Sequence, residues 1–190
     1  MSNIVDYSDM GIKNIRELLT LHPHSGIVAR QDITREQQGP TTIKLCSNDL
    51  ISLDGLLEVL DVIVVNILDV KILDISSNLF SSIPKEVLSL PGLKSLYLHD
   101  NKIEKRFALT SLTALNLYSL TLHANPIAKS PGLRAKLVYK LPTLKVLDFT
   151  SITARERRLL MGDEDRKEKA SKKFEKTAIK PWKLSKGKKY

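Results

Sequence analysis

A short phrase, Leu-x-x-Leu-x-Leu-x-x-Asn, recurs in this chain, and its recurrence decides what the chain can fold into. The clearest copies are Leu93, Leu96, Leu98, Asn101, Ile103 and Leu117, Leu120, Leu122, Asn125, Ile127, with Val70, Leu73, Ile75, Asn78, Phe80 just before them. A degenerate first copy is Ile43, Leu45, Asn48, Leu50, Leu53; a last one is Leu144, Leu147, Phe149, with Ile152 where the Asn is expected. Within each copy the two close apolar residues have period two, so both side chains point to one face of a short strand and the residue between them points to the other. The chain must then turn, and an Asn can bond the backbone of its own and the adjacent coil through its amide, which an apolar side chain cannot do. Five stacked turns are expected.

Successive Asn positions fall 30, 23 and 24 residues apart, close to the 20–29 residues of leucine-rich repeat units. The fold class is therefore α/β, a short solenoid with a parallel sheet on its concave side. The linkers form the convex side. Asp54 to Asn66 begins with an N-cap candidate, Asp54, and carries Leu56, Val59, Leu60, Ile63 and Ile67 at helical spacing. Glu58, Asp61 and Asn66 interrupt it, and it is shorter than the roughly 20 residues that span a bilayer. Ser82 to Leu90 and Leu109 to Leu115 have room for only a helical turn or two. Ile12, Ile15, Leu18 and Leu19 predict an amphipathic capping helix within Asp9 to Leu21, followed by a polar connector, Arg30 to Pro40. Near the other end, Ser130-Pro131 reads as a helix start, with Leu133, Leu137, Val138 and Leu141 along one face. The chain divides into a cap and connector (1–40), repeats with a C-terminal cap (41–154) and a tail (155–190).

A single cysteine, Cys46, forms no internal disulfide, and no apolar leader follows Met1, so an intracellular protein is expected. The formal charge of +9 sits almost wholly in the tail: Arg155 to Tyr190 holds 14 Lys plus Arg against 6 Asp plus Glu. Thr153 to Ala170 reads as a helix with i, i+4 charge pairs, and Lys172 to Tyr190 as an extended segment that orders on binding, with Phe174, Ile179 and Trp182 as anchors. A repeat body of near-neutral charge, and a tail with few aromatics for stacking, argue against nucleic acid as partner.

Leu120 to Ile127, the segment with Arg134, Leu141 to Thr153 and Arg155-Glu156-Arg157 together resemble the C-terminal cap of the intracellular Sds22-like leucine-rich repeat class. More narrowly, Asp6-Tyr7-Ser8, Leu-Tyr-Leu-His-x-Asn at Leu96 to Asn101, Leu-Thr-Leu-His-x-Asn-Pro at Leu120 to Pro126 and Ile-Lys-Pro with Trp at Ile179 to Trp182 resemble the leucine-rich repeat-containing protein fifty-one family of ciliated organisms. The resemblance implies a non-enzymatic adaptor of the cilium or flagellum axoneme, a monomer within a larger assembly, with axonemal partners and tubulin as the acidic surface for the tail. The Sds22 class also implies an alternative, a regulatory subunit of a protein phosphatase, although that regulator uses more repeats. A splicing-type module that holds an RNA-binding protein shares the same cap.

Period two lists the concave surface. One column is Lys44, Asp74, Tyr97, Thr121 and Asp148; the next is Cys46, Ser76, His99, His123 and Thr150. Tyr97, His99 and His123 form the expected centre, with flanking Asp residues suited to a basic or polar segment. His99 and His123 should lie about 5 Å apart on adjacent strands, yet Ser76 and Thr150 are poor metal ligands beside them and no metal or other cofactor is expected. Catalytic motifs such as HExxH, a P-loop or GxSxG are absent from the sequence.

Overall fold

The computed structural model describes residues 4–25, 41–64, 66–104 and 108–162. Two compact units divide after Thr153: Met1–Thr153 and Ala154–Tyr190. In the first, strands β1 (Ile4–Asp6), β2 (Thr42–Lys44), β3 (Ile72–Asp74), β4 (Ser95–Tyr97), β5 (Ser119–Thr121) and β6 (Val146–Leu147) pair in sequence order, all parallel. A final strand, β7 (Thr150–Ser151), turns back antiparallel on β6. The result is a leucine-rich repeat solenoid.

Strict register turns the sequence phrase into ladders. Val5, Ile43, Leu73, Leu96, Leu120 and Leu147 stack as Cα partners along the sheet, and all are buried. Tyr7, Leu45, Ile75, Leu98 and Leu122 form a second fully buried row. Neighbouring coils thus share one apolar core, which none could close alone.

The Asn ladder performs the role its spacing implies. Asn101 donates Nδ2 to the carbonyls of Ile75 at 3.0 Å and Leu98 at 3.1 Å, and its Oδ1 accepts the Phe80 N–H at 3.0 Å. Asn48, Asn78 and Asn125 repeat this pattern, each reaching one carbonyl of the preceding coil. The residue before each Asn has left-handed backbone: Ser47, Ser77, Asp100 and Ala124 have φ of 50–56°. That conformation reverses the chain at the strand end, and the Asn bonds on either side hold it there.

The sheet has two strands more than the five repeats provide, the returning β7 and, at the other edge, β1. Asp9 has φ 57°, matching the left-handed position of the next four coils, and Met10 stands where the Asn belongs. Asn48 Oδ1 accepts the Ile12 N–H, as each later Asn does for the coil before it, and here also takes the Met10 N–H. Tyr7 completes the core row, its hydroxyl donating to the Leu18 carbonyl at 3.3 Å, and burial pushes its pKa up to about 12. The expected cap helix over Asp9 to Leu21 is corrected to a five-residue 3-10 helix, Ile15–Leu19, because the residues before it are spent on the strand-end turn. The Asp6 N–H then bonds the Ser25 carbonyl, and His24 N–H the Asp6 carbonyl, covering the open edge of β1. The expected polar connector, Arg30 to Pro40, lies outside the described residues.

Convex linkers follow the spare residues in each interval. The 30-residue interval accommodates an α-helix, α1 (Leu56–Ile63), burying Leu56, Val59, Leu60 and Ile63, then a 3-10 turn at Ile67–Asp69. The shorter intervals hold a 3-10 helix at Lys85–Ser89 or a single helical turn, α2 (Ala108–Ser111), running into a 3-10 turn at Leu112–Ala114. A third helix, α3 (Leu133–Lys140), buries Leu133, Leu137 and Val138. Both eight-residue helices start from a left-handed glycine, Gly55 at φ 90° and Gly132 at φ 71°, without a side-chain cap bond. This corrects the expected N-caps, Asp54 and Ser130, since a reversal at φ > 0 favours glycine over either. In the second unit residues 154–162 are helical; the rest of the expected tail helix lies outside the described residues. No helix among the described residues is long and apolar enough to cross a membrane.

A candidate protein-docking face

Strand alternation sends Asp6, Lys44, Asp74, Tyr97 and Thr121 to the open face of the sheet in one register-matched row. Two of the acids are used locally. Asp6 Oδ1 accepts the N–H and hydroxyl of Ser8, and Asp74 Oδ1 those of Ser76, at 2.6–3.1 Å. Burial pushes Asp6 upward, but its Ser8 bonds and Lys44, 3.4 Å away, outweigh that and hold its pKa below the usual value. Cys46 is half-buried, its Sγ 3.0 Å from the Ser8 hydroxyl.

His99 and His123 stack with ring centroids 4.7 Å apart and planes 9° from parallel. Opposite partners orient the two rings. Thr121 Oγ1 accepts the Leu98 N–H at 3.1 Å and lies 2.9 Å from His99 Nδ1, so its hydroxyl hydrogen is free to point at that ring nitrogen. On His123 the same nitrogen faces Asp148 Oδ1 at 3.2 Å, which can only accept, so Nδ1 carries the proton there. Asp148 Oδ1 also accepts the backbone N–H of Leu122 and His123, as Thr121 does one strand earlier. Burial and the adjacent His123 lower the His99 pKa, against the opposing pull of Asp74, Asp100 and Asp148. Thr121 itself is fully buried. Its expected contact with a partner is therefore corrected: it orients His99 from beneath.

The largest departure from the sequence pattern is Phe149. Its period-two position assigns it to the core with Leu147, yet it is 65% exposed. Asp148 and Phe149 have φ of 50° and 60°, making a two-residue reversal between β6 and β7 with Leu147 paired to Thr150. That reversal swings Phe149 onto the open face, and Ile152 enters the core in its place. The Phe149 ring lies 6.1 Å from Tyr97 and meets His99 and His123 edge-on at 5.7 and 5.5 Å. Phe149 thus sits beside His123, where Thr150 was expected; Thr150 is exposed on the returning strand. Four rings from three coils make one cluster.

Among the described residues no three His, Cys, Asp or Glu are grouped to hold a metal ion. Tyr97, His99, His123 and Asp148 are brought together, Asp74 borders them in register with Tyr97, and the tail anchors Phe174, Ile179 and Trp182 lie outside the described residues. On the convex side a shallow cleft of about 490 Å³ is lined by Leu57, Glu58, Leu60, Asp61, Val64, Asn66 and Ile67.

A coil-by-coil parallel sheet with an Asn ladder and an exposed aromatic face defines a leucine-rich repeat scaffold for protein interaction, and the chain belongs to the leucine-rich repeat family, whose model matches residues 3–178. It is similar to leucine-rich repeat-containing protein 51 of Mus musculus, at 27% identity, and of Bos taurus, at 29%, each over 154 residues and 80% of both chains. A probable U2 small nuclear ribonucleoprotein A′ of Drosophila melanogaster is 33% identical over 119 residues, 61% of this chain and 42% of that protein. Among solved structures, the Drosophila melanogaster SNF/U2A′ complex shares the fold with a TM-score of 0.59 at 23% identity, covering 84% of this chain and 79% of that one.

Proposed function

We propose that this protein is a non-enzymatic adaptor of the ciliary or flagellar axoneme, gripping a protein partner on the open face of its sheet and an acidic, tubulin-like surface with its basic tail. The observation that carries the gripping face is the cluster of Tyr97, His99, His123 and Phe149, with Tyr97 and the histidines on or just after parallel strands and Phe149, 65% exposed, on the reversal after β6. Aromatic side chains on a rigid element supply contact area at low entropic cost, which suits an interaction hot spot. The ciliary assignment is supported by the resemblance to the leucine-rich repeat-containing protein 51 relatives. The tail reading is supported by its net charge of +8, from 14 basic and 6 acidic residues between Arg155 and Tyr190.

Pull-down from detergent-extracted axonemes tests both halves. Replacing Tyr97 and His123 together by Ala should reduce partner recovery at least tenfold while melting stays near wild type, because both side chains lie outside the core. Undiminished recovery would move the binding site off this face. Recovery of a phosphatase catalytic subunit in place of axonemal proteins would favour the regulatory-subunit alternative.

A further inference from the structure

The ring cluster is bordered by acid. Asp74 is in register beside Tyr97, Asp100 follows His99, and Asp148 underlies His123. Lys44, the basic member of the same row, is already 3.4 Å from Asp6. Each of Asp74 and Asp148 directs one oxygen, Oδ1, into local hydrogen bonds. The face therefore combines aromatic π-surface with bordering carboxylates, a setting that attracts cations and repels phosphates.

Phe149 sharpens this reading. A bulky residue at φ 60° is unfavourable, and two-residue reversals with both φ positive favour Asn-Gly or Asp-Gly. The sequence instead spends the second position on an exposed phenyl ring lying across two histidines and a tyrosine. Backbone cost retained at a solvent-facing ring marks the position as serving a contact.

Resting on the docking face described above, we infer that this cluster is a receptor for an arginine side chain of the partner protein, its guanidinium stacked on the Phe149–Tyr97 surface and balanced by Asp74 and Asp148. A planar, weakly hydrated guanidinium suits an aromatic face better than an ammonium does. A charged His99 would place a second cation beneath the guanidinium, and burial with the adjacent His123 lowers the His99 pKa, against the pull of Asp74, Asp100 and Asp148. Binding consequently weakens once His99 is charged.

The full-length protein, with its aromatic side chains isotopically labelled, is titrated by NMR with acetyl-Arg-Arg-amide and with its neutral counterpart carrying citrulline. The arginine probe should shift the Phe149, His99 and His123 ring signals saturably at pH 7.5, and its binding should weaken in step with the protonation that the His99 ring signals themselves report. The citrulline probe should leave them in place. Phe149→Gly, which suits the left-handed backbone, should keep the fold and lose the response. Equal shifts from citrulline, an affinity unaltered by His99 protonation, or an undiminished response in F149G would each overturn the arginine site. If the Tyr97/His123 double variant still loses its partner while the arginine probe fails, the docking face stands and its chemistry is of another kind.

Discussion

At the scale of single residues, the solenoid depends on side chains that join one coil to the next. Asn101 is 6% exposed and satisfies groups of two coils at once: the Ile75 and Leu98 carbonyls through Nδ2 and the Phe80 N–H through Oδ1. Asn101→Ala takes one donor from each carbonyl, which keep Asn78 and Asn125 respectively, and leaves the buried Phe80 N–H without its acceptor, at about 1–3 kcal/mol. Chemical denaturation should show a lower midpoint by that amount; an unchanged midpoint would mean that the left-handed turn at Asp100 is held by other contacts. Thr121 and Asp148 show how residues of similar position divide in role. Both accept backbone N–H groups of the preceding coil, but only Asp148, with its side chain 33% accessible, remains available to a partner.

At the scale of elements, coils approach closely enough that one glycine is set by its neighbour. A Cβ on Gly92 would collide with the Leu68 carbonyl of the preceding coil, a backbone atom, besides meeting the movable Lys71 side chain at 2.9 Å. Gly92→Ala should therefore destabilise the body by about 1–3 kcal/mol through forced displacement of that turn, read as a lower melting temperature; an unchanged value would mean the two turns separate freely. The five repeats were legible because Leu-x-Leu spacing and Asn turns act locally and recur. Strand β1 was not legible, because Val5 and Tyr7 are a short apolar pair and the amide serving Met10 comes from Asn48, far along the chain. Tyr97, His99 and His123 could be placed by period two alone. Phe149 could not: Asp-Phe carries no glycine to announce a reversal, and a Phe two residues after Leu147 is indistinguishable in pattern from a core residue. The nearby Ile152, able to fill the core instead, was the available signal.

At the scale of the whole molecule, the parallel ladder is closed at both ends by antiparallel chain, Ser25 against Asp6 and β7 against β6, which leaves the sheet face as the open surface. The two proposed binding functions differ in charge: acid borders the ring cluster, and base fills the chain beyond Arg155. If the tail holds the protein on an acidic filament, cosedimentation with microtubules should weaken as salt rises, and truncation after Ala154 should abolish it. Equal cosedimentation of truncated and full-length forms at every salt concentration would assign attachment to the repeats.

The docking face itself is tested most directly by photocrosslinking in a ciliated cell. A benzoyl-phenylalanine replaces Phe149 on the open face or Leu57, 45% exposed on the convex side. The predicted result is a discrete adduct with an axonemal protein from position 149 and none from position 57. An adduct from position 57 with none from position 149 would contradict the assignment and place the partner against the convex helices.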